Sequence, residues 1–193
     1  MAAPQTVKPF SEPSERNRAP ILAVLKKALA SSKSVLEIGS GTGQHAAYFA
    51  PELPHLTWQA SDRAENLADI RQWVADPIEL DVDKPFPKLD ADAVFTANTC
   101  HIMSWPQVER FFAGVGALLP KGGVFALYGP FHYGGKATSP SNAEFDRWLR
   151  DRDPKSGVRD LETIRDLAAH QGLALEEDNA MPANNRLLVF RRR

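Results

Sequence analysis

The sequence contains a single cysteine, Cys100, so no intrachain disulfide can form and no zinc site can be built on cysteines. No metal is expected. It has no apolar run of the roughly 18 residues that a bilayer-spanning helix needs. Residues 1–9 contain no apolar core of the kind a secretory signal carries. Neither sign of charge is in excess. Lys and Arg number 23 against 24 Asp and Glu, for a net charge of -1 and a pI near 6.5. That balance excludes the strongly basic surface of a dedicated nucleic-acid or anionic-membrane binder. Internal repeats and low-complexity tracts are missing as well. What remains is 193 residues, 43% hydrophobic and 24% charged, which is ordinary globular usage. A chain of this length fits one domain, 1–193, and buries well over half of its unfolded surface without staples. The expectation is a soluble, cytoplasmic protein in a reducing compartment.

Pro4, Pro9 and Pro13 predict an extended opening, because proline lacks a backbone donor and restricts its predecessor. A helix is expected from near Ser14, with Ile21, Leu22, Leu25 and Leu29 on one apolar face. Residues 34–38 form a short apolar run that stops at Gly39, Gly41 and Gly43, and residues 44–50 read as a helix ended by Pro51. The alternation continues. Strands are expected at 55–60, 77–80, 91–96 and 124–128, with helices at 64–74 and 106–119 between them. Residues 129–140 read as loop, and 142–151 and 159–170 as helices. The last strands, 173–176 and 186–190, have only a loop between them. Alternating strands and helices predict an α/β protein whose mostly parallel sheet is covered on both faces. The helix-free final pair should be antiparallel, which separates the pattern from a pure dinucleotide fold.

In such a sheet, ligands bind beyond the carboxyl ends of the strands at the switch in strand order. Four strand ends therefore matter. The first is Glu37-Ile38-Gly39-Ser40-Gly41-Thr42-Gly43, where glycines let the backbone turn sharply and approach a ligand, and the next helix offers free amides. Gln44 stands where a dinucleotide fingerprint wants its third glycine, and no Gly-Lys-Ser/Thr follows, so a P-loop is excluded. The second is Asp62, 23 positions beyond Gly39 and close to the spacing of an acid that accepts bonds from ribose hydroxyls. The bland alternative is a helix-capping Asp. The third is Asp81 with the backbone of Val82, placed to meet an adenine edge or else simply a loop acid. The fourth is Asn98-Thr99-Cys100-His101, which faces the reactive end of a ligand held by the other three. Asn98 brings donors and an acceptor. His101 can move a proton near neutral pH, although a lone histidine is more often structural. Tyr128, Phe131 and Tyr133 follow the fifth strand on the side where an acceptor would lie, with simple packing as the alternative.

Together these residues resemble the class I S-adenosylmethionine-dependent methyltransferases over roughly 35–190. Further stretches are similar to domain-of-unknown-function family 938, the branch that includes methyltransferase-like protein 26. They are Glu15-Arg16-Asn17-Arg18-Ala19-Pro20-Ile21, the run from Val35 through Gly43-Gln44-His45, Tyr128-Gly129-Pro130-Phe131, Ser141-Asn142 and Arg152-Asp153-Pro154. The resemblance implies a three-layer Rossmann-like fold with a seven-stranded sheet and an antiparallel last strand. It implies S-adenosylmethionine as methyl donor, held by Glu37, Gly39, Ser40, Gly41, Gly43, Asp62, Asp81, Val82 and Asn98. It also implies an N-terminal arm or lid, 1–20, with Arg16 and Asn17 touching the donor. Deletion of 1–18 is expected to spare the fold and weaken donor binding. The acceptor is expected to be a small molecule. The Asn-Pro-Pro-Tyr type motif of amino-methylating nucleic-acid enzymes is replaced by Asn98-Thr99-Cys100-His101, which counts against a nucleic-acid partner. A nicotinamide-dependent oxidoreductase and a non-catalytic binding or scaffold protein stand as rival readings.

Overall fold

The computed structural model describes residues 8–193; the extended segment expected around Pro4 lies outside them. Helix α1 spans Glu12–Ala28. Ser11 caps it by accepting from the Ser14 amide, Pro13 sits in the first turn where its missing donor costs nothing, and Glu12 and Glu15 face the positive end of the helix. The helix therefore starts before Ser14 and carries Pro20 inside. This corrects the expected arm. Residues 12–20 are the first half of a continuous helix with Asn17 buried, so deleting 1–18 would remove packing as well as cover.

The chain then runs β1 (Ser34–Ile38), α2 (Gln44–Glu52), β2 (Thr57–Asp62), α3 (Leu67–Ile70), β3 (Ile78–Glu79), β4 (Ala93–Ala97), α4 (Trp105–Leu118) and β5 (Val124–Gly129). It continues with β6 (Phe131–His132), α5 (Pro140–Arg152), β7 (Arg159–Asp160), α6 (Leu161–His170), β8 (Leu173–Met181) and β9 (Asn185–Arg192). Seven strands form one sheet in the order β3-β2-β1-β4-β5-β9-β8. The pairs from β3 to β5 are parallel, and β9 runs antiparallel to both β5 and β8.

Side chains alternate across this sheet, as the two-residue period of a strand requires. Leu36, Val94, Phe125, Leu127 and Phe190 face α4 and α6, where Phe111, Phe112 and Ile164 complete one core. Val35, Phe95, Ala126 and Val189 face α1 and α2, where Ile21, Leu25 and Phe49 complete the other. Buried on both sides, the strands read as continuous apolar runs.

Several boundaries differ from the sequence reading. The stretch expected as helix 64–74 is a 3₁₀ turn at Ala64–Asn66, then the four-residue α3, then turns. Of its apolar residues only Ile70 is buried, and it anchors the segment. Pro51 lies inside the last turn of α2, where it forfeits only one ladder bond. β2 extends to Asp62, so that carboxylate is the strand end itself. The 129–140 loop contains β6, which pairs with β7, and the expected loop after 176 shortens to 182–184 because β8 runs to Met181. Among the described residues no helix is long and apolar enough to cross a membrane.

Candidate active site

The chain turns in opposite directions after β1 and β4, which are neighbours in the sheet. A cleft of about 1130 Å³ opens at their carboxyl ends. Its floor is Gly39–Thr42 after β1, Asn98 and His101 after β4, Tyr128 near the end of β5 and Pro130 just after it. The first turns of α1 cover one end and α5 covers the other.

The glycines divide the work. Gly39 has φ +73° and Gly41 φ +59°, the left-handed region that glycine enters without strain. A Cβ on Gly39 would lie 2.5 Å from Thr99 Cγ2, whereas one on Gly41 would meet nothing within 4 Å and project into open space. The turn is shaped from below. Gly41 N–H donates to Asp62 Oδ2 at 2.8 Å, and Asp62 Oδ1 accepts from Asn66 Nδ2 at 2.8 Å. Ser61 N–H donates to Ser40 Oγ.

Arg16, Asn17, Gly39, Ser40, Gly41, Asn98, His101 and Tyr128 thus come together on the cleft wall. The other sequence candidates lie elsewhere. Glu37 is buried beneath the turn, with Trp58 Nε1 donating to its Oε2 at 2.8 Å. Gly43 caps α2 and leaves room for Ile70, whose atoms a Cβ would meet at 3.2 Å. Asp62 stands behind Gly41. Asp81 accepts from the Asp83 amide and Val82 packs on the α4 core; neither lines the cleft. Phe131 is in the same core, and Tyr133 donates to Asp178 Oδ2 at 2.7 Å. Placing both on the acceptor side is therefore corrected. The strand pair β6–β7 turns Phe131 inward beneath the sheet and draws Tyr133 towards β8.

Asn98 has φ +60°, a conformation uncommon for any residue but glycine and least costly for Asn and Asp. Its N–H donates to the Tyr128 carbonyl at 2.9 Å, which leaves the amide side chain at the cleft. The loop behind it is pinned. Arg159 Nε donates to the Cys100 carbonyl at 3.1 Å, and its guanidinium also donates to the Met103 carbonyl. Gly157 N–H donates to the His101 carbonyl at 2.9 Å. Burial pushes the Cys100 thiol up to about 12, so it is protonated at neutral pH and is no nucleophile.

His45 escaped the sequence reading as a site residue, although it closes the glycine motif. It lines the cleft, and its Nε2 donates to Asn17 Oδ1 at 2.7 Å, tying α2 to α1. Burial lowers His45 to about 4, and burial with the charge of Arg159 lowers His101 to about 4. Burial, abetted by Asp62, raises Glu37 to about 7 against the bonds from Trp58 and Ser40. These shifts fix a pH dependence. Between pH 6.5 and about 4 the unfolded chain binds protons that the folded histidines refuse, so stability falls as pH falls through that window. Glu37 works in the opposite sense. It keeps its proton in the folded state between 4.5 and about 7, and that stabilisation is lost as pH rises through 7. Where the windows overlap, two histidines outweigh one carboxyl by one proton, so stability falls as pH falls. Glu37→Gln removes the opposing group and is expected to steepen the acid loss about twofold. Denaturant unfolding of both proteins from pH 7 to 5 measures it, and equal slopes would contradict the assignment.

The fatty-acid O-methyltransferase of Mycolicibacterium smegmatis is 30% identical over 130 residues, 61% of this chain and 45% of that protein. The chain thus spans about half the length of this curated relative. The O-methyltransferase family 2 protein of Planctomyces limnophilus, solved with apigenin, superposes with a TM-score of 0.80 at 20% identity, covering 94% of this chain and 58% of its own. Human N-acetylserotonin methyltransferase, solved with S-adenosylmethionine, gives 0.80 at 16% identity over 94% of this chain and 53% of its own. At those identities the likeness shows the fold, a Rossmann-like methyltransferase fold. The family whose pattern runs the length of the described chain, from residue 8 to 192, is the one described as protein of unknown function (DUF938), and the chain belongs to it.

Proposed function

We propose that this protein transfers a methyl group from S-adenosylmethionine to a hydroxyl of a small molecule. The observation that carries the reading is the open left-handed turn at Gly41, set at the switch in strand order and facing a buried histidine across one cleft. The residues fit the donor. A turn that would admit a Cβ without contact has room for a ligand against its backbone, Asn98 puts a polar side chain beside it, and Asp62 holds Gly41 from behind. The antiparallel β9 and the Gln44 in place of a third glycine count against the nicotinamide alternative. Two of the three relatives carry O-methyltransferase in their names, which supports an oxygen acceptor. The Glu15–Ile21 run supports a place beside methyltransferase-like protein 26 within the family.

When bound, the donor supplies a methyl carbon already activated for displacement by its sulfonium. The protein's part is then to align, to exclude water and to remove a proton. Gly39, Ser40 and Gly41 offer backbone to the donor, and Asn98 fixes it from the neighbouring strand. The first turns of α1 are a fixed cover. Trp73 Nε1 donates to the Pro9 carbonyl at 2.7 Å, and the Ser11 amide donates to Gln44. Arg16 and Asn17 face the cleft from that cover. His101, neutral because burial depresses its pKa, takes the proton of the acceptor hydroxyl on a ring nitrogen and passes it to water.

Incubation with methyl-labelled donor and a cell metabolite extract tests the reading directly. Label is expected on a hydroxyl-bearing small molecule, and failure of S-adenosylhomocysteine to bind would overturn it. Asp62→Ala removes the carboxylate that holds the Gly41 N–H from behind and is expected to weaken that binding about 10-fold by loosening the turn. Titration calorimetry measures the change, and an unchanged affinity would show that the turn keeps its shape without Asp62.

A further inference from the structure

The half of the cleft beneath α5 has a different chemistry from the half beneath α1. Only three large apolar side chains among the described residues are well exposed, and two of them, Ile102 at 58% and Trp148 at 49%, face this half. Phe145 and Trp148 sit one helical turn apart on α5, which puts them on one face. Their rings are stacked, with centroids 5.8 Å apart and an interplanar angle of 18°. At the deep end the His101 ring meets the edge of Phe145 at 5.2 Å. At the outer end the Arg152 guanidinium lies 4.6 Å from the centre of the Trp148 ring. Phe145, Trp148 and Arg152 therefore form a ladder along α5, from a neutral imidazole inside to a cation at the mouth. Arg152 has no carboxylate within 4.0 Å among the described residues, whereas Arg16 at the other end of the cleft is paired with Glu12 at 2.8 Å. The three ladder residues and His101 all line the cleft.

We propose that this ladder binds a planar aromatic hydroxy compound whose hydroxyl points inward to His101 and whose acidic substituent points outward to Arg152. The proposal rests on the methyltransferase reading and names the acceptor class for it. Offset aromatic stacking favours a flat ring system over a flexible chain, because a rigid face gains contact without losing rotamer freedom. A guanidinium already resting on an indole is less hydrated than a free one and keeps its donors for a carboxylate. A fatty acyl chain would gain from the apolar area but nothing from the parallel rings.

The test is equilibrium binding of 7-hydroxycoumarin-3-carboxylate, which is planar and carries its phenol and carboxylate at opposite ends. Fluorescence anisotropy reads it in the presence of S-adenosylhomocysteine, with 7-hydroxycoumarin and dodecanoate as comparison ligands. Trp148→Leu, a substitution at a well-exposed position, is expected to weaken the coumarin acid about 5- to 10-fold. Arg152→Gln is expected to weaken the acid by a similar factor while leaving neutral 7-hydroxycoumarin unchanged. Dodecanoate binding tighter than the coumarin acid, no coumarin binding to the unaltered protein, or equal affinities in the Trp148→Leu variant would each overturn the proposal. Calorimetry with S-adenosylhomocysteine alone separates the two readings. If the coumarin binds and S-adenosylhomocysteine does not, the methyltransferase reading fails and the aromatic site stands.

Discussion

Gly41→Ala is expected to yield a folded protein that binds S-adenosylhomocysteine at least about 30-fold more weakly than the unaltered chain. The two effects separate because of where the new methyl goes. At φ +59° an alanine pays the left-handed penalty of about 1–2 kcal/mol, but its Cβ touches nothing of the protein within 4 Å. In a chain of this size that lowers Tm by only a few degrees. The space the methyl enters is the cleft itself, where the donor would press against the backbone of the turn. Gly39→Ala cannot make the same distinction. Its Cβ would strike Thr99 Cγ2 at 2.5 Å and must displace a buried residue that bonds Thr96, so stability and binding fall together. Gly43→Ala would press on Ile70 and disturb the packing of α3 on α2. Calorimetry and thermal unfolding on the Gly41 variant give the answer. Affinity within twofold of the unaltered protein would show that no ligand approaches this turn.

The contrast among the three glycines also shows what was readable in the chain. Their spacing announces a tight turn after a buried strand, and that much follows from sequence. Which one faces the open cleft, which one faces Thr99 and which one makes room for a helix depends on residues 27 to 60 positions away. The sheet was legible because apolar runs of five or six residues alternate with amphipathic helices, and short-range pattern suffices to place them. The misreadings cluster where the local signal is thin. α3 has one buried residue to hold it, β6 and β7 are two residues each, and Pro51, read as a helix end, sits inside a helix that tertiary packing sustains despite the lost bond. The half of the cleft at the turn after β1 was mostly visible because β1, its turn and α2 are contiguous. The α5 half was not. Phe145, Trp148 and Arg152 carry a helical spacing, but nothing local says that this face closes over the loop after β4. Glu37 was misplaced for a related reason. Its strand is buried on both sides, and only the partner Trp58 on β2 shows that the carboxyl points beneath the turn.

Replacing His101 with glutamine is expected to lower turnover by about 10²-fold while S-adenosylhomocysteine affinity stays nearly unchanged. A general base can contribute as much as about 10⁴-fold, and two features of this site favour the lower end. Burial and the charge of Arg159 hold the imidazole to about 4, so it is a weak base. The imidazolium formed during the reaction would also stand near Arg159, in a protein interior that disfavours the charge. The same features move the pH dependence. An ordinary histidine would put the acid limb of the rate profile near 6.5, but a group lowered to about 4 stays neutral and competent well below that. Turnover of the unaltered protein is therefore expected to stay flat from pH 8 to about 5 and to fall towards 4, provided the fold persists. Stability alone cannot decide the role. The glutamine variant loses the edge contact with Phe145, worth about 0.5–1.5 kcal/mol, whether or not the ring moves protons. The discriminating measurement is the profile at low pH under conditions where circular dichroism shows both proteins folded. If His101 is the base, the residual rate of the variant no longer falls towards pH 4. If the limb persists with a rate reduced by the same factor at every pH, the ring is a positioning residue that holds Phe145 and the loop after β4. A variant with full turnover from pH 5 to 8 would assign proton removal to water or to the acceptor's own acidity, as a phenol ionised near neutral pH would allow.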